Sequence, residues 1–210
     1  MKKVLIGNGG HSREVMSQMG IKLDRFVDDQ YVDNNTFPIS NLDPNKHEVM
    51  IAVANSRDRF DITQRLPKEI KFFTFIHPTA LIMDNVEIGE GSFIGAYSIL
   101  TTDIKIGNHS ILNRSNHIGH DCTIGNYFSA MPGSIVSGNV TIGEKVYLGT
   151  NSSIREKLTI IDDVTIGLNT GIVKSITKKG IYVGQNTRTL WKKLVLYYFH
   201  TQTQQKKNNY

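Results

Sequence analysis

Residues 82–124 read IMDNVEIGEGSFIGAYSILTTDIKIGNHSILNRSNHIGHDCTI. An aliphatic residue returns at every sixth position: Ile82, Ile88, Ile94, Leu100, Ile106, Leu112, Ile118 and Ile124. Extended both ways, the register runs from Ile76 to Ile172. Sixteen of its seventeen positions are Ile, Leu or Val, with Ala130 the exception. A six-residue period matches neither the 3.6-residue helix nor the two-residue alternation of a flat strand. It matches a solenoid in which each short strand ends in a corner and three strands complete a coil. Hexapeptide repeats of this kind are the signature of a parallel β-helix. At roughly 4.8 Å between stacked strands, five to six coils make a prism about 25 Å tall.

The residue two before each aliphatic position is mostly small or apolar, as at Val86, Ser92, Ser98, Ser110, Cys122 and Ser134. It is expected to point inward near a corner, where little volume is free. Glycine follows the aliphatic residue at 89, 95, 107, 119, 125, 143, 149 and 167. The expectation there is a backbone with positive φ, which glycine adopts at least cost.

Residues 1–75 have a different texture. Val4-Leu5-Ile6 reads as a strand, Gly7 to Gly10 as a turn, and Ser12 to Met19 as a helix. Arg25-Phe26-Val27 leads into Asp28-Asp29, Val49 to Val53 is apolar enough for a central strand, and Arg57 to Leu66 reads as a helix closed by Pro67. Lys71 to Phe75 supplies a last strand. Strands alternating with helices imply a parallel sheet, here about half of a dinucleotide-binding fold. The expected layout is an α/β half-Rossmann-like unit over 1–75, a β-helix over 76–178, and a cap with a basic tail over 179–210. Because a solenoid exposes strand edges at both ends, the α/β unit is expected to cap one end and the segment from Gly180 the other.

Charge and composition exclude several classes. The net charge of +5 is carried by Arg188, Lys192, Lys193, Lys206 and Lys207, with no acidic residue from 188 to 210. The rest of the chain is balanced, which argues against nucleic acid as a partner. Trp191 to Phe199 reads as a short apolar helix ahead of the polar end. The run Val4-Leu5-Ile6 is too short for a signal-peptide core or a membrane span, so the expectation is a cytoplasmic protein without an integral membrane segment. One cysteine, Cys122, rules out an intrachain disulfide.

Two stretches carry chemistry. Gly7-Asn8-Gly9-Gly10-His11 follows a strand and opens a helix, an arrangement whose N–H groups favour a phosphate. Asp28 lies about twenty residues on, where an acidic side chain accepts from a ribose hydroxyl, and Asn55 falls at the same carboxyl edge. In His117-Ile118-Gly119-His120-Asp121-Cys122 the register turns Ile118 and Cys122 inward and leaves His120 and Asp121 at a corner. A histidine beside a carboxylate is a candidate general base. His109, His117 and His120 also raise a zinc site. One coil along from His109 lies Tyr127, however, and from His120 Gly138, so no histidines stack in register.

These motifs together resemble the sialic-acid O-acetyltransferase-like group of hexapeptide acyltransferases. The likeness rests on Gly7 to His11, Phe26 to Asp29, His77-Pro78-Thr79-Ala80, Leu112-Asn113, His120-Asp121-Cys122 and Gly184. The group includes N-acetyltransferases of UDP- or dTDP-linked 4-amino-4,6-dideoxy sugars. The resemblance implies a left-handed β-helix, a homotrimer with active sites between subunits, and acetyl-CoA as co-substrate with no metal. It implies His120 as base and Asp121 as its acidic partner. It implies Gly9, Gly10, His11, Asp28, Asp29, Ala54 and Asn55 around the nucleotide-sugar, and Ser129, Thr150 and Leu168 at the cofactor, the last two lining it mainly through backbone. Some members carry a histidine near the acetyl group where this chain has Ser129, and the usual Gly-x-Pro-Ala-Lys tail is here Gly184-Gln185-Asn186-Thr187-Arg188. The implied activity is N-acetylation of a nucleotide-linked amino sugar for surface glycan synthesis. Sugar O-acetylation, a zinc-dependent hydrolyase and a nucleotide-binding scaffold are the alternatives.

Overall fold

The computed structural model describes residues 1–184. The first 72 residues form a five-stranded parallel sheet: β1 (Lys2–Ile6), β2 (Asp24–Val27), β3 (Phe37–Pro38), β4 (His47–Ile51) and β5 (Lys71–Phe72), in the order β3-β2-β1-β4-β5. Helix α1 (Gly10–Met19) follows β1, and α2 (Ser56–Thr63) follows β4. Val4 to Ile6 and Val49 to Ile51 are almost wholly buried, as expected of central parallel strands covered on both faces. Alternation divides them. Val4, Ile6, Phe26, Val49 and Ile51 pack with Leu42, Leu66 and Ile70, while Leu5 and Met50 pack with Val15, Phe73, Phe93 and Ile111. The second cluster crosses into the solenoid. Helix α1 stops at Gly20, whose φ of 68° lets its N–H reach back to the carbonyls of Met16 and Ser17. Strand β3 has no sequence signature, because two residues ending in proline are too few to show a pattern.

From Phe75 the chain winds as a left-handed parallel β-helix, its short strands stacked 18 residues apart, and 16 at the last strand, in three sheets of seven, six and five. Ile99, His117 and Ile135 stack in one column, and Leu100, Ile118 and Val136 in the next. The repeat positions from Ile94 to Ile172 are all buried, and the small residues before them at Ser92, Ser98, Ser110, Ser134 and Ser152 are at most 1% exposed. Ala130, the one short side chain in the aliphatic column, sits in the same core as the wholly buried Phe128 two residues before it. The large ring stands where its counterparts are small.

The glycine expectation is corrected. Positive φ falls two residues after these glycines, at Gly91, Tyr97, His109, Asp121, Tyr127, Lys145, Asn151 and Asn169. The glycines are needed for approach. A Cβ on Gly107 would lie 2.6 Å from the Asn126 nitrogen, and one on Gly119 2.6 Å from that of Gly138. One corner is further laced by side chains 18 residues apart. Asn108 Oδ1 accepts from Glu90 N, Asn126 Oδ1 from Asn108 N, and Asp162 Oδ1 from Glu144 N.

The capping expectation is also corrected. The α/β sheet lies along a flank of the prism and buries the outward side chains Phe93, Ile111 and Ser129, because the chain passes from β5 into the first coil within two residues. Among the described residues the first coil stays open, with Ile76 42% and Leu81 50% exposed. Gly180–Tyr182 adds a further parallel strand onto Val164–Ile166. The expected Trp191–Phe199 helix and the basic tail lie outside the described residues. No helix among the described residues is long and apolar enough to cross a membrane.

The seam includes His109, only 5% exposed, stacked on Tyr127 at 5.2 Å between ring centroids and edge-on to Phe72 at 4.5 Å. Burial pushes its pKa down from 6.5 to about 4, with the Arg59 charge acting in the same direction. The native state therefore holds a neutral ring that the unfolded chain protonates near 6.5. Stability is full above that pH and falls as pH drops toward about 4, by up to about 3 kcal/mol. Replacing His109 by Asn, which tolerates the positive φ, should flatten the denaturation midpoint over that pH window. Phe128→Ala should cost about 3–5 kcal/mol in equilibrium denaturation, since neighbouring Ala130 cannot fill the cavity.

Candidate active site

His120 and Asp121 turn the corner between strands His117–Ile118 and Thr123–Ile124. The backbone there is fixed by the neighbouring coils: Asp121 N donates to Thr102 O at 3.2 Å, and His120 O accepts from Asn139 N at 2.7 Å. Asp121 has φ of 58°, a conformation that Asp and Asn tolerate better than most side chains. Its Oδ2 lies 2.6 Å from His120 Nδ1, with both side chains more than half exposed. That contact directs Nε2 away from the carboxylate. The ring rests on Gly138, one coil along, where a Cβ would lie 2.6 Å from Nε2. The Gly138 N–H, beside the ring, makes no hydrogen bond among the described residues.

Cys122 is buried, as the register required, with its thiol directed at the Ser137 carbonyl at 3.2 Å. Burial pushes its pKa up, which leaves an inert core sulfur rather than a nucleophile. His109 is enclosed on a different corner from His120, so the histidines near one another in sequence do not converge. Among the described residues no three His, Cys, Asp or Glu side chains are grouped to hold a metal ion.

The second cluster lies at the carboxyl edge of the α/β sheet, between β1 and β4, where the strand order reverses and α/β folds place ligands. Gly7 has φ of 121°, and a Cβ there would lie 3.0 Å from Ala52 O, so the two loops run side by side. Gly9 and Gly10 are exposed at the start of α1. His11 turns inward, edge-on to Phe93 at 6.1 Å, with Nδ1 3.8 Å from Glu14 Oε2. Burial lowers its pKa against the opposing charge of Glu14. Glu14 also binds Asn113 Nδ2 at 3.2 Å and pairs with Arg114, docking α1 on the solenoid. Asp28 pairs with Arg65 at 2.7 Å, and Asp29 accepts from Ser40 N at 3.2 Å. Asn55 caps α2, its Oδ1 accepting from Arg57 N and Asp58 N. Ala54 presents its carbonyl to Ser129 and Arg59.

The cofactor expectations divide. Thr150 and Leu168 stack on one corner, joined by the bond from Asn169 N to Thr150 O at 2.9 Å, and Leu168 is 64% exposed. Ser129 departs from expectation. It is wholly buried under the α/β unit, and its hydroxyl is engaged by Ser56, Arg59 and Ala54, so it offers nothing to a cofactor within this chain. The α/β unit covers the sheet containing Phe93, Ile111 and Ser129, whereas His120 turns the corner joining the other two sheets. In a three-sided prism that corner is opposite the covered face. One chain therefore does not bring the Gly9–His11 edge to its own His120.

Sequence reading missed Arg59 and Glu14. Both sit in charged helical segments that look solvated, and nothing in their spacing marks Arg59 as buried in the seam or Glu14 as docked on it.

No family model matches the chain, and no curated protein matches it. Solved structures do. WeeI from Acinetobacter baumannii AYE is 28% identical, with a TM-score of 0.78 over 90% of this chain and 99% of that one. The acetyltransferase domain of PglB from Neisseria gonorrhoeae FA1090 is 26% identical, with a TM-score of 0.60 over 87% and 96%. PerB from Caulobacter crescentus, solved with CoA and GDP-perosamine, is 21% identical, with a TM-score of 0.67 over 88% and 94%, a likeness of fold. Fold and likeness together define an acyltransferase of the hexapeptide-repeat type. Within that class the chain is similar to the PglB acetyltransferase domain, and in fold to PerB.

Because His120 is exposed, Gly138→Ala should displace its ring rather than unfold the coil. The expected result is a far-ultraviolet spectrum unchanged from wild type and, with His120 as the candidate base, turnover reduced by roughly tenfold or more.

Proposed function

We propose that the protein transfers the acetyl group of acetyl-CoA to the amine of a nucleotide-linked 4-amino-4,6-dideoxy sugar, in the cytoplasm, as a step in surface glycan synthesis. The observation that carries this reading is the His120–Asp121 contact at 2.6 Å on an exposed corner, in a chain that also holds a G-x-G-G-H loop at a sheet switch point. Support for the acetyl donor comes from the PglB acetyltransferase domain, which has been solved with acetyl coenzyme A. The same fold carries CoA and GDP-perosamine together in PerB.

In this reading the amine attacks the thioester carbonyl carbon while His120 Nε2 takes its proton. Asp121 holds the Nδ1–H and favours the imidazolium that forms. The free N–H of Gly138 donates to the developing oxyanion. Collapse of the adduct breaks the C–S bond, the imidazolium returns its proton to sulfur, and the products are the amide and free CoA. Gly9, Gly10, His11, Asp28, Asp29, Ala54 and Asn55 hold the nucleotide-sugar, while Thr150 and Leu168 border the cofactor. Because His120 stands opposite the α/β unit of its own chain, the nucleotide held by one subunit meets His120 of another, which favours the homotrimer with shared active sites. O-acetylation of a free sugar uses similar chemistry but leaves the Gly9–His11 loop without a nucleotide to hold.

His120→Ala should lower kcat by about 10²–10⁴ while leaving the oligomer unchanged on size-exclusion chromatography with light scattering. Near-normal turnover in that variant would remove His120 as the base. Asp121→Asn should give a smaller loss and a shifted pH–rate profile. Competition by UDP, dTDP or GDP separates the nucleotide-sugar reading from a free-sugar acceptor.

A further inference from the structure

Arg59 is fully enclosed, at 0% exposure, yet among the described residues it faces no carboxylate. Its guanidinium is held by carbonyls from two sources. From the loop after β4, Val53 O accepts from Nη1 at 2.7 Å and Ala54 O at 3.2 Å. From two successive coils, His109 O accepts from Nε at 2.7 Å, while Tyr127 O, Phe128 O and Ser129 Oγ each lie 2.9 Å from Nη2. Burial lowers its pKa to about 9, with Tyr127 opposing the shift, so it stays charged at neutral pH. A charge with no counter-ion is a costly way to stabilise a seam, and apolar packing serves that purpose more cheaply. What the planar fork provides is direction. Its donors point at the loop on one side and at the solenoid on the other, which an ammonium cannot reproduce. Ser129 completes the link, its Oγ accepting from Arg59 and donating to Ala54 O at 2.8 Å. Ser56 Oγ lies 2.9 Å from Ser129 Oγ and 3.2 Å from Val146 O.

We infer that Arg59 is a positioning residue: it fixes the Val53–Asn55 edge of the nucleotide site to the β-helix and thereby sets affinity for the nucleoside diphosphate part of the substrate, which it does not touch. This rests on the reading of that sheet edge as the nucleotide site. Ser129, where some relatives of the resembled group place a histidine near the acetyl group, is here committed to the same link.

The test is calorimetric binding of free UDP, dTDP and GDP to the full chain, paired with steady-state kinetics, for wild type, Arg59→Lys and Ser129→Ala. Arg59→Lys should weaken nucleoside diphosphate binding and raise KM for the nucleotide-sugar by about tenfold or more, with KM for acetyl-CoA and kcat at saturation changed by less than roughly threefold. Ser129→Ala, which removes one hydroxyl, should move the same two quantities by roughly threefold and keeps the inference testable if Arg59→Lys does not fold. Unchanged nucleoside diphosphate affinity in a folded variant would overturn the role of Arg59, as would an equal rise in KM for acetyl-CoA. If wild type binds none of the three nucleotides, the nucleotide-site reading itself fails, and the inference fails with it.

Discussion

Backbone stacking at the corners governs this molecule. Gly119 N donates to Val136 O at 2.8 Å, Gly107 N to Ile124 O at 2.8 Å, and Gly149 N to Ile166 O at 2.7 Å, each linking one coil to the next. The spacing leaves no room for a Cβ at those glycines and requires a left-handed residue two positions later. Each coil therefore takes 18 residues, and the side chain at any corner position stands directly over its counterpart in the coil below. The His120 ring lies on Gly138 for this reason. A histidine on a loop would need other groups to orient it, whereas here the scaffold supplies one surface of the ring and Asp121 holds its Nδ1 edge.

The energetic weight lies in the core and the seam rather than in surface charge. Exposed pairs such as Lys105 with Glu87 contribute at most about 1 kcal/mol each. The buried aliphatic columns hold the solenoid together, and the shared cluster of Leu5, Met50, Phe93 and Ile111 joins the two halves of the chain over an apolar surface. Arg59 adds specificity to that surface. Removing its guanidinium would leave several carbonyls unpaired, each at about 1–3 kcal/mol. The same fork that fixes the loop is thus expensive to lose, even though an apolar side chain there would be cheaper to bury.

What could be read from the sequence depended on whether the physical cause was periodic. The six-residue register exposed the β-helix, the inward columns, the burial of Cys122 and the corner placement of His120 and Asp121, because each follows from counting. The corner glycines were visible, but their reason was not, since close approach of the next coil and positive φ produce the same residue choice. Arg59 was hidden in an N-S-R-D-R-F helix start that has the composition of a solvated face. Ser129 was matched to a position and not to a contact, and only the docking of α2 shows its hydroxyl to be engaged. The flank position of the α/β unit was equally hidden, because it depends on outward residues such as Phe93 and Ile111 that no repeat pattern distinguishes from exposed ones.

The account's central claim is acetyl transfer to a nucleotide-linked amine. It is tested most directly by following free-thiol release from acetyl-CoA with wild-type protein and a panel of UDP-, dTDP- and GDP-linked 4-amino-4,6-dideoxy sugars. The account predicts fast release with one or a few of these acceptors and none with the matching sugars that lack the amine. Absence of release with every acceptor, from a protein that binds CoA, would contradict it.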